Sequence, residues 1–231
     1  MKELLVAWIL SIMTALSPPH KPRIVMVPEA TESYAQADAR YREAAEDIVV
    51  GAFKAPRSIF YGPKGRAKTA LLVATIFFME SGYRRDVDMG LGRARLARSG
   101  LNDFGRSWCM GQINLGRKPM KDPETGEWLE ESASTTEEGW TGKDLVQDRQ
   151  KCTIATIAVL RRSLSSCKEL PINSRLALYA SGSCEKQSGV AASEARMSLF
   201  YRILSRNKFP DVSDSDVMAE IERENASVAL Q

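Results

Sequence analysis

The chain has 231 residues, of which 44% are hydrophobic and 26% are charged, and these proportions exclude an intrinsically disordered or fibrous protein. The net charge of +3 is unevenly distributed, because residues 210–231 contain six acidic residues and one Arg and so carry −5, which leaves +8 on residues 1–209. This basic body suits an anionic polymer. However, no basic stripe with interleaved aromatic residues accompanies it, so we expect no nucleic acid partner.

The amino-terminal segment contains an apolar run over residues 4–16 that ends before Pro18-Pro19. A run of this length is too short to cross a bilayer, which takes about 20 residues. A signal peptide or an anchor is the alternative, but Pro18 directly follows the small-residue cleavage candidate Ala15-Leu16-Ser17. We therefore predict an uncleaved, buried helix and a linker over residues 1–30, with no stable membrane span.

The remaining sequence has mainly helical periodicity and predicts a mainly α fold. Apolar residues recur at helical spacing in five segments, residues 34–52, 66–80, 143–166, 173–180 and 190–207. In the last of these, Arg196, Arg202 and Arg206 are assigned to the face opposite the apolar stripe. Residues 209–231 follow as an acidic C-terminal tail. We expect residues 210–231 to be dispensable for chemistry and to dock as a short helix on a partner or on the basic body.

Two segments break the helical pattern. Residues 84–108 include six Arg and are predicted to be a long irregular segment. Residues 117–142 are polar, and the sequence KDPETGEW at 121–128 predicts a turn between two short strands.

Four cysteines stand at positions 109, 152, 167 and 184, and the chain has one histidine, His20, so a structural zinc site is not expected. If residues 143–166 form one helix, Cys152 and Cys167 are about 22 Å apart along it and do not pair. A disulfide between Cys167 and Cys184 is the preferred pairing, because each lies just beyond a predicted helix. Free thiols are the alternative.

Glu80 follows a nearly continuous apolar segment, residues 70–79, and precedes Ser81-Gly82. Gly82 suits the left-handed position that ends a helix. Apolar surroundings and the negative end of a helix both raise the pKa of a carboxyl group. A carboxylic acid that stays protonated near neutral pH is the general acid that a glycosidic oxygen requires. The alternative is a solvated Glu where a helix meets a loop.

Two later clusters carry further polar groups. The sequence WCMGQINLG at 108–116 contains Gly111, where a backbone can approach a ligand, and Gln112 and Asn114, whose amides suit sugar hydroxyls. The alternative is a strand with polar residues on one face. The sequence LALYASGSC at 176–184 places Tyr179 near the end of a short helix, beside Ser181, with its phenol near a carboxyl group or in the core.

In this order, the three clusters resemble the motifs of the lysozyme-like lytic transglycosylases, the goose-type lysozyme superfamily. The family pattern is Glu-Ser at a helix end, then Gly-Leu-Met-Gln-Ile, then Ala-Tyr-Asn-Ala-Gly. Here Met110-Gly111-Gln112 replaces Leu-Met-Gln, and Ala180-Ser181 replaces Asn-Ala. The resemblance covers residues 66–205. It implies a lysozyme-like helical domain over residues 31–208, with a small hairpin or flap insertion and a substrate cleft.

The resemblance also implies an activity, peptidoglycan lytic transglycosylation at the β-1,4 bond between N-acetylmuramic acid and N-acetylglucosamine. Glu80 is the expected single acid and base, and Tyr179 orients Glu80 or the acetamido group of the substrate. Trp128 and Trp140 belong to a predicted flap and contact sugar rings or close on the core. The expected substrate-binding residues are Ser81, Met110, Gly111, Gln112, Asn114 and Ser181.

No cofactor or metal is expected for this chemistry. The expected partners are peptidoglycan glycan strands and, in a phage particle, tail or capsid proteins. The expected location is a phage virion or the bacterial cell envelope. A Glu80→Gln variant is predicted to lose cleavage, and Glu32, assigned to the surface, is its matched control.

Other functions stay open at this level. Asp86, Asp88 or Asp103 is placed to position a water molecule, which would give an inverting muramidase. A catalytically inactive wall-binding or structural virion protein is a second alternative. A nucleic-acid binder would depend on the Arg residues of the 84–108 segment, which we interpret first as a solvated or glycan-facing loop.

Overall fold

The computed structural model describes residues 1–20, 30–90, 107–115, 120–121, 128–129 and 136–228. Within those ranges the fold is mainly α, as predicted, with nine α-helices and two short antiparallel strand pairs. The helices are α1 (Lys2–Leu16), α2 (Tyr34–Lys54), α3 (Gly65–Ser81), α4 (Arg85–Asp88), α5 (Gly142–Gln147), α6 (Arg149–Ser166), α7 (Ala177–Ser181), α8 (Gln187–Arg206) and α9 (Asp214–Val228). A 3₁₀ turn over Ile172–Ser174 precedes α7.

Helix α3 lies at the centre of the fold and contacts α1, α2, α6, α8 and α9. It is apolar around its whole circumference, with Leu71, Leu72, Ile76 and Phe77 all buried, as expected for a helix surrounded by others. It ends at Gly82, which adopts the left-handed conformation with φ of 58°. The predicted helix over 66–80 is thus confirmed, and the central position of α3 carries Glu80 out of the core at its last turn.

Helix α1 packs on α2, α3 and α9. Leu5, Ile9 and Met13 are fully buried against the other helices. At its start, the Lys2 ammonium group lies 2.8 Å from a Glu46 carboxylate oxygen and 2.7 Å from one of Glu224. The apolar amino-terminal run is therefore a core helix here, and among the described ranges no helix combines the length and apolarity needed to cross a bilayer.

The acidic C-terminal segment forms α9 and packs on α1, α2 and α3. Val217 and Ile221 are buried in the same core as α1 and α3. Asp214 accepts hydrogen bonds from the backbone N–H groups of Arg66 (2.7 Å) and Ala67 (3.2 Å), at the start of α3. Segments 1–30 and 209–231 thus contribute helices to one core with residues 31–208.

The predicted single helix over 143–166 is wrong, because the chain breaks at Asp148 between α5 and α6. Asp148 is extended (φ −137°, ψ 103°), and its side chain accepts hydrogen bonds from the backbone N–H groups of Gln150 (2.9 Å) and Lys151 (3.1 Å). It therefore caps a new helix and ends the old one. The helix predicted over 173–180 is likewise shorter, and only Ala177–Ser181 is α-helical.

Two disulfides attach loops to α6. Cys167–Cys184 is formed as predicted, and it ties the end of α6 to the segment after α7. Cys109–Cys152 ties the first strand pair to the beginning of α6. The open alternative of free thiols does not hold, since every cysteine is paired in this structure.

The strand pairs are small. β1 (Ser107–Trp108) pairs with β2 (Ile113–Asn114) around a turn, and β3 (Met120–Lys121) pairs with β4 (Trp128–Leu129). The second pair confirms the two short strands predicted at KDPETGEW, while the turn between them, residues 122–127, lies outside the described residues. Trp140 is half-buried against the core, and the Lys151 ammonium group lies 5.8 Å from its ring centroid.

Candidate active site

Glu80 lies on the last turn of α3, with its side chain 17% exposed. The guanidinium group of Arg196 binds it, with Nε donating to Oε1 at 2.9 Å and Nη2 donating to the same oxygen. Burial raises the pKa of Glu80, while the charge and hydrogen bonds of Arg196 oppose this shift. The net result is a carboxyl group that binds a proton more readily than an ordinary Glu, although a cation touches it.

Arg196 reaches Glu80 from α8, and its side chain is 10% exposed. Its predicted position opposite the apolar stripe is wrong, since Phe200 and Ile203 are buried on the same side of α8. The spacing of positions 196, 200 and 203 is that of one helix face, so the sequence did contain this signal. A buried guanidinium needs a partner, and Glu80 is that partner.

Tyr179, on α7, is placed beside this pair. Its ring centroid lies 6.0 Å from the guanidinium carbon of Arg196. Its hydroxyl donates a hydrogen bond to the backbone oxygen of Gly111 and not to Glu80, which was one of the two groups that Tyr179 was expected to orient. Burial and the nearby negative charge of Glu80 both raise the pKa of the phenol, so Tyr179 stays protonated and acts as a donor.

The turn between β1 and β2 presents the Gly111 oxygen to Tyr179. Cys109 and Gln112 both have positive φ, 56° and 48°, and the Gln112 side chain donates to the Cys109 oxygen at 2.9 Å. A Cβ atom at Gly111 would collide with the hydroxyl of Thr156 on α6. Gly111 therefore allows the turn to lie against α6, which gives it a packing role, and its approach to a ligand stays a prediction.

The other predicted substrate-binding residues differ in how far their side chains are buried. Ser81 is buried, donates to the Phe77 oxygen at 2.7 Å and accepts from the Tyr83 N–H at 3.2 Å, while Met110 is a core residue. Ser181 is half-buried and donates to the Ala177 oxygen at 3.0 Å. Asn114 is exposed on β2. Ser81 and Met110 thus support the loops, whereas Gln112, Asn114 and Ser181 remain predicted contacts.

The acidic candidates for a second catalytic carboxylate are engaged elsewhere. Asp86 is buried in an ion pair with Arg84. Asp88 is buried and binds Arg149, whose Nη2 lies 2.8 Å from a carboxylate oxygen. Asp103 and the Arg residues from 93 to 106 lie outside the described residues. Asp86 and Asp88 each already have an arginine partner, so neither is placed to act as a free base.

A surface cavity of about 630 Å³ lies near this region, and neither Glu80 nor Arg196 lines it. It lies between α1, α3 and α8, and Met79 and Ala195, the chain neighbours of Glu80 and Arg196, line it. The remaining lining residues are Ala15, Leu16, Phe78, Ser198, Leu199 and Arg202. Within the described ranges, no cluster of three or more His, Cys, Asp and Glu side chains is arranged to bind a metal ion.

The three predicted motifs therefore form one connected site. Glu80 binds Arg196, Arg196 faces the ring of Tyr179, and Tyr179 binds the oxygen of Gly111. No protein-family model, curated protein or solved structure matches this chain.

Proposed function

We propose that this protein is a peptidoglycan lytic transglycosylase that cleaves the β-1,4 bond between N-acetylmuramic acid and N-acetylglucosamine. The observation that carries the proposal is Glu80, a mostly buried carboxyl group with a raised pKa on the last turn of α3, bound by Arg196 and interacting with Tyr179. A raised pKa keeps more of such a group protonated at a given pH, and the proton can pass to a glycosidic oxygen.

In the first step, Glu80 donates its proton to the glycosidic oxygen, and the bond between that oxygen and C1 of the muramoyl residue breaks. The acetamido oxygen of the substrate stabilises the cationic C1. In the second step, Glu80 takes the proton from the muramoyl 6-hydroxyl while that oxygen forms a bond to C1. The products are a 1,6-anhydromuramoyl end and a free N-acetylglucosamine end, and Glu80 regains its proton without any water being consumed.

The single-carboxylate mechanism is favoured over the inverting muramidase. An inverting glycosidase needs a second carboxylate that activates water on the opposite face of the sugar. Asp86 and Asp88, the described candidates, are both buried in ion pairs with arginines. Their charges therefore stabilise the segment after α3 in place of activating water.

An inactive wall-binding protein is the other alternative. A binding surface alone does not need a mostly buried carboxyl group held by a buried guanidinium, because such groups cost free energy to bury. The retained Glu80, Arg196 and Tyr179 cluster is more simply explained by catalysis.

Digestion of purified peptidoglycan followed by mass spectrometry of the released fragments tests the proposal. The expected fragments carry 1,6-anhydromuramoyl ends and are lighter by one water than hydrolytic products. Fragments with reducing muramic acid ends would identify a hydrolase instead. Binding to peptidoglycan without release of fragments would identify an inactive wall-binding protein.

A further inference from the structure

Arg196 was not among the residues that the sequence motifs select, yet it makes the closest contacts to Glu80. Both of its donating nitrogens, Nε and Nη2, bind the same carboxylate oxygen, Oε1. Among the described residues, the second oxygen of Glu80, Oε2, receives no hydrogen bond. The carboxyl group is thus held on one side and open on the other.

We infer that Arg196 is a positioning residue of this site, which grips Glu80 by Oε1 and presents Oε2 to the substrate. This inference depends on the proposed transglycosylase reaction, because only there does one carboxyl group both give and take a proton. Holding Oε1 restricts the rotation of the carboxyl group about its terminal torsion. The same oxygen, Oε2, can then face the glycosidic oxygen in the first step and the 6-hydroxyl in the second.

The guanidinium also balances the two protonation states. Burial alone favours the protonated acid, which suits the first step and opposes the second. Arg196 favours the carboxylate, which suits the second step. A group that acts as acid and then as base needs both forms to be accessible, so the opposing effects of burial and Arg196 suit this double use.

The surroundings of Glu80 leave Arg196 as the main charge that acts on it. Arg196 on α8 and Tyr179 on α7 are the titratable groups of the described residues that interact with Glu80. Tyr179 stays neutral. Helix α1 contributes only Ala15 and Leu16 to the cavity that Met79 lines, and Arg202 lines that cavity further along α8.

Two substitutions separate the effect of the Arg196 charge from the effect of its two-nitrogen contact with Glu80. Arg196→Gln removes the positive charge but keeps a hydrogen-bond donor, whereas Arg196→Lys keeps the charge but replaces the two planar donors with a single ammonium group. Arg206→Gln on the same helix is the matched control, because the Arg206 side chain is exposed and lies outside the site.

The first measurement is the titration of the Glu80 carboxyl carbon by NMR in the unliganded protein. In Arg196→Gln we expect the midpoint to rise by about one pH unit or more, since an opposite charge within contact distance typically lowers a carboxyl pKa by about 1–3 units. In Arg196→Lys most of the wild-type value should be kept, and in Arg206→Gln all of it. An unchanged midpoint in folded Arg196→Gln would overturn the inference.

The second measurement is the release of anhydromuramoyl fragments as a function of pH. Arg196→Gln should move the high-pH limb of the profile upward, in step with the NMR midpoint. Arg196→Lys should lose at least about tenfold in kcat with little change in midpoint, because the grip is lost. Full activity in Arg196→Lys would overturn the gripping role, and this variant also decides the matter if Arg196→Gln does not fold.

The two measurements keep the inference and the proposed function apart. If the wild-type protein releases no fragments, the transglycosylase proposal fails, and the substrate-presenting role of Arg196 fails with it. The NMR titration would still show whether Arg196 sets the charge of Glu80. If the wild-type protein is active and the midpoint does not move, only the role of Arg196 is wrong.

Discussion

Tyr179 donates its hydroxyl hydrogen to the backbone oxygen of Gly111, a residue 68 positions earlier in the chain. This bond joins α7 to the turn between β1 and β2. Because the Tyr179 ring also faces the guanidinium of Arg196, the same side chain connects that turn to the residue that binds Glu80. Tyr179 thus links the β1–β2 turn to the residue that binds Glu80, and for the proposed reaction we assign it a positioning role.

Tyr179→Phe tests this role, because it removes the hydroxyl and keeps the ring. The variant should fold and lose about 1–2 kcal/mol of unfolding free energy, since the buried Gly111 oxygen loses its donor. Peptidoglycan cleavage should fall at least about tenfold, because the β1–β2 turn is no longer joined to α7. Urea unfolding and fragment release measure the two effects. Tyr61→Phe is the matched control, since Tyr61 is 90% exposed, and an equal effect of both variants would contradict the role of Tyr179.

Glu80→Gln should abolish cleavage without unfolding the protein. Gln has the same shape and can donate a hydrogen bond to the glycosidic oxygen, but it cannot give up a proton. The loss should reach the upper end of the range of about 10²–10⁴-fold for general acid–base groups, because one group performs both transfers. Retention of more than about a tenth of the wild-type rate, well outside that range, would show that Glu80 is not the acid.

The control for Glu80→Gln has to be chosen from the structure. Glu32 was predicted to lie on the surface, and this is wrong. Its side chain is 16% exposed and binds Arg40 through both oxygens, with distances of 2.6 and 2.9 Å. Glu169, whose side chain is 88% exposed, is the appropriate site, and Glu169→Gln should leave both activity and stability unchanged.

The raised pKa of Glu80 predicts how stability depends on pH. The folded protein binds the Glu80 proton more tightly than the unfolded chain, in which the pKa is near its usual value of 4.5. The contribution of this group to stability is therefore full below pH 4.5 and is lost as the pH rises through the folded-state pKa. Relative to Glu80→Gln, the wild-type protein should become less stable over that window. Urea unfolding of both proteins at a series of pH values measures the difference in their unfolding free energies. A wild-type protein that gained stability relative to Glu80→Gln as the pH rose would contradict the prediction.

The two disulfides should differ in their effect on stability and on the site. Cys109–Cys152 spans 43 positions and Cys167–Cys184 spans 17, so the chain-entropy model gives losses of about 4 and about 3 kcal/mol when each is removed. Cys109→Ala/Cys152→Ala should also reduce cleavage, because it frees the turn that holds Gly111. Thermal unfolding and fragment release of the two double variants measure these effects. Full activity after loss of Cys109–Cys152 would show that α6 packing alone holds the turn.

Asp214→Ala should cost about 1–2 kcal/mol of unfolding free energy, because it removes the acceptor for two backbone N–H groups at the start of α3. Asp211→Ala is the matched control, since that side chain is fully exposed and its nearest cation, Lys64, lies 3.7 Å away.

The expectation that residues 210–231 are dispensable now applies to the chemistry alone and does not extend to the stability of the fold. Deleting them should lower the melting temperature strongly while leaving the reaction itself unchanged at low temperature. An unaltered melting temperature would show that α9 does not stabilise the core.

The sequence predicted those features that depend on neighbouring residues. Gly82 identifies the end of α3 because only a left-handed residue closes that helix, and the apolar run before it identifies a buried helix. Asp148 shows the limit of periodicity, since apolar spacing continues from α5 to α6 while a local cap divides them. Asp148 can be recognised in the sequence as a possible N-cap, but the apolar spacing that continues past it favours a single helix.

The core-facing position of Arg196 could be read from its helical spacing, but its partner could not, because Glu80 lies 116 positions away. A guanidinium on a core-facing position is acceptable only if a buried acid meets it, and no local pattern indicates which acid does so. The partner of the Tyr179 hydroxyl was missed for the same reason, since a backbone oxygen leaves no trace in the sequence.

The capping of α3 by Asp214 has a consequence for synthesis of the chain. The N-cap residue of α3, Lys64, forms no side-chain cap. The first N–H groups of this central helix therefore have their side-chain acceptor, Asp214, only after 148 more residues have been added to the chain. At about 5–20 residues per second, the ribosome needs about 7–30 s to translate that distance. During this interval the central helix, with its many apolar side chains, has no acceptor for the N–H groups at its amino end. Its aggregation on the ribosome, and its protection by nascent-chain chaperones, should therefore depend on how fast the second half of the message is translated.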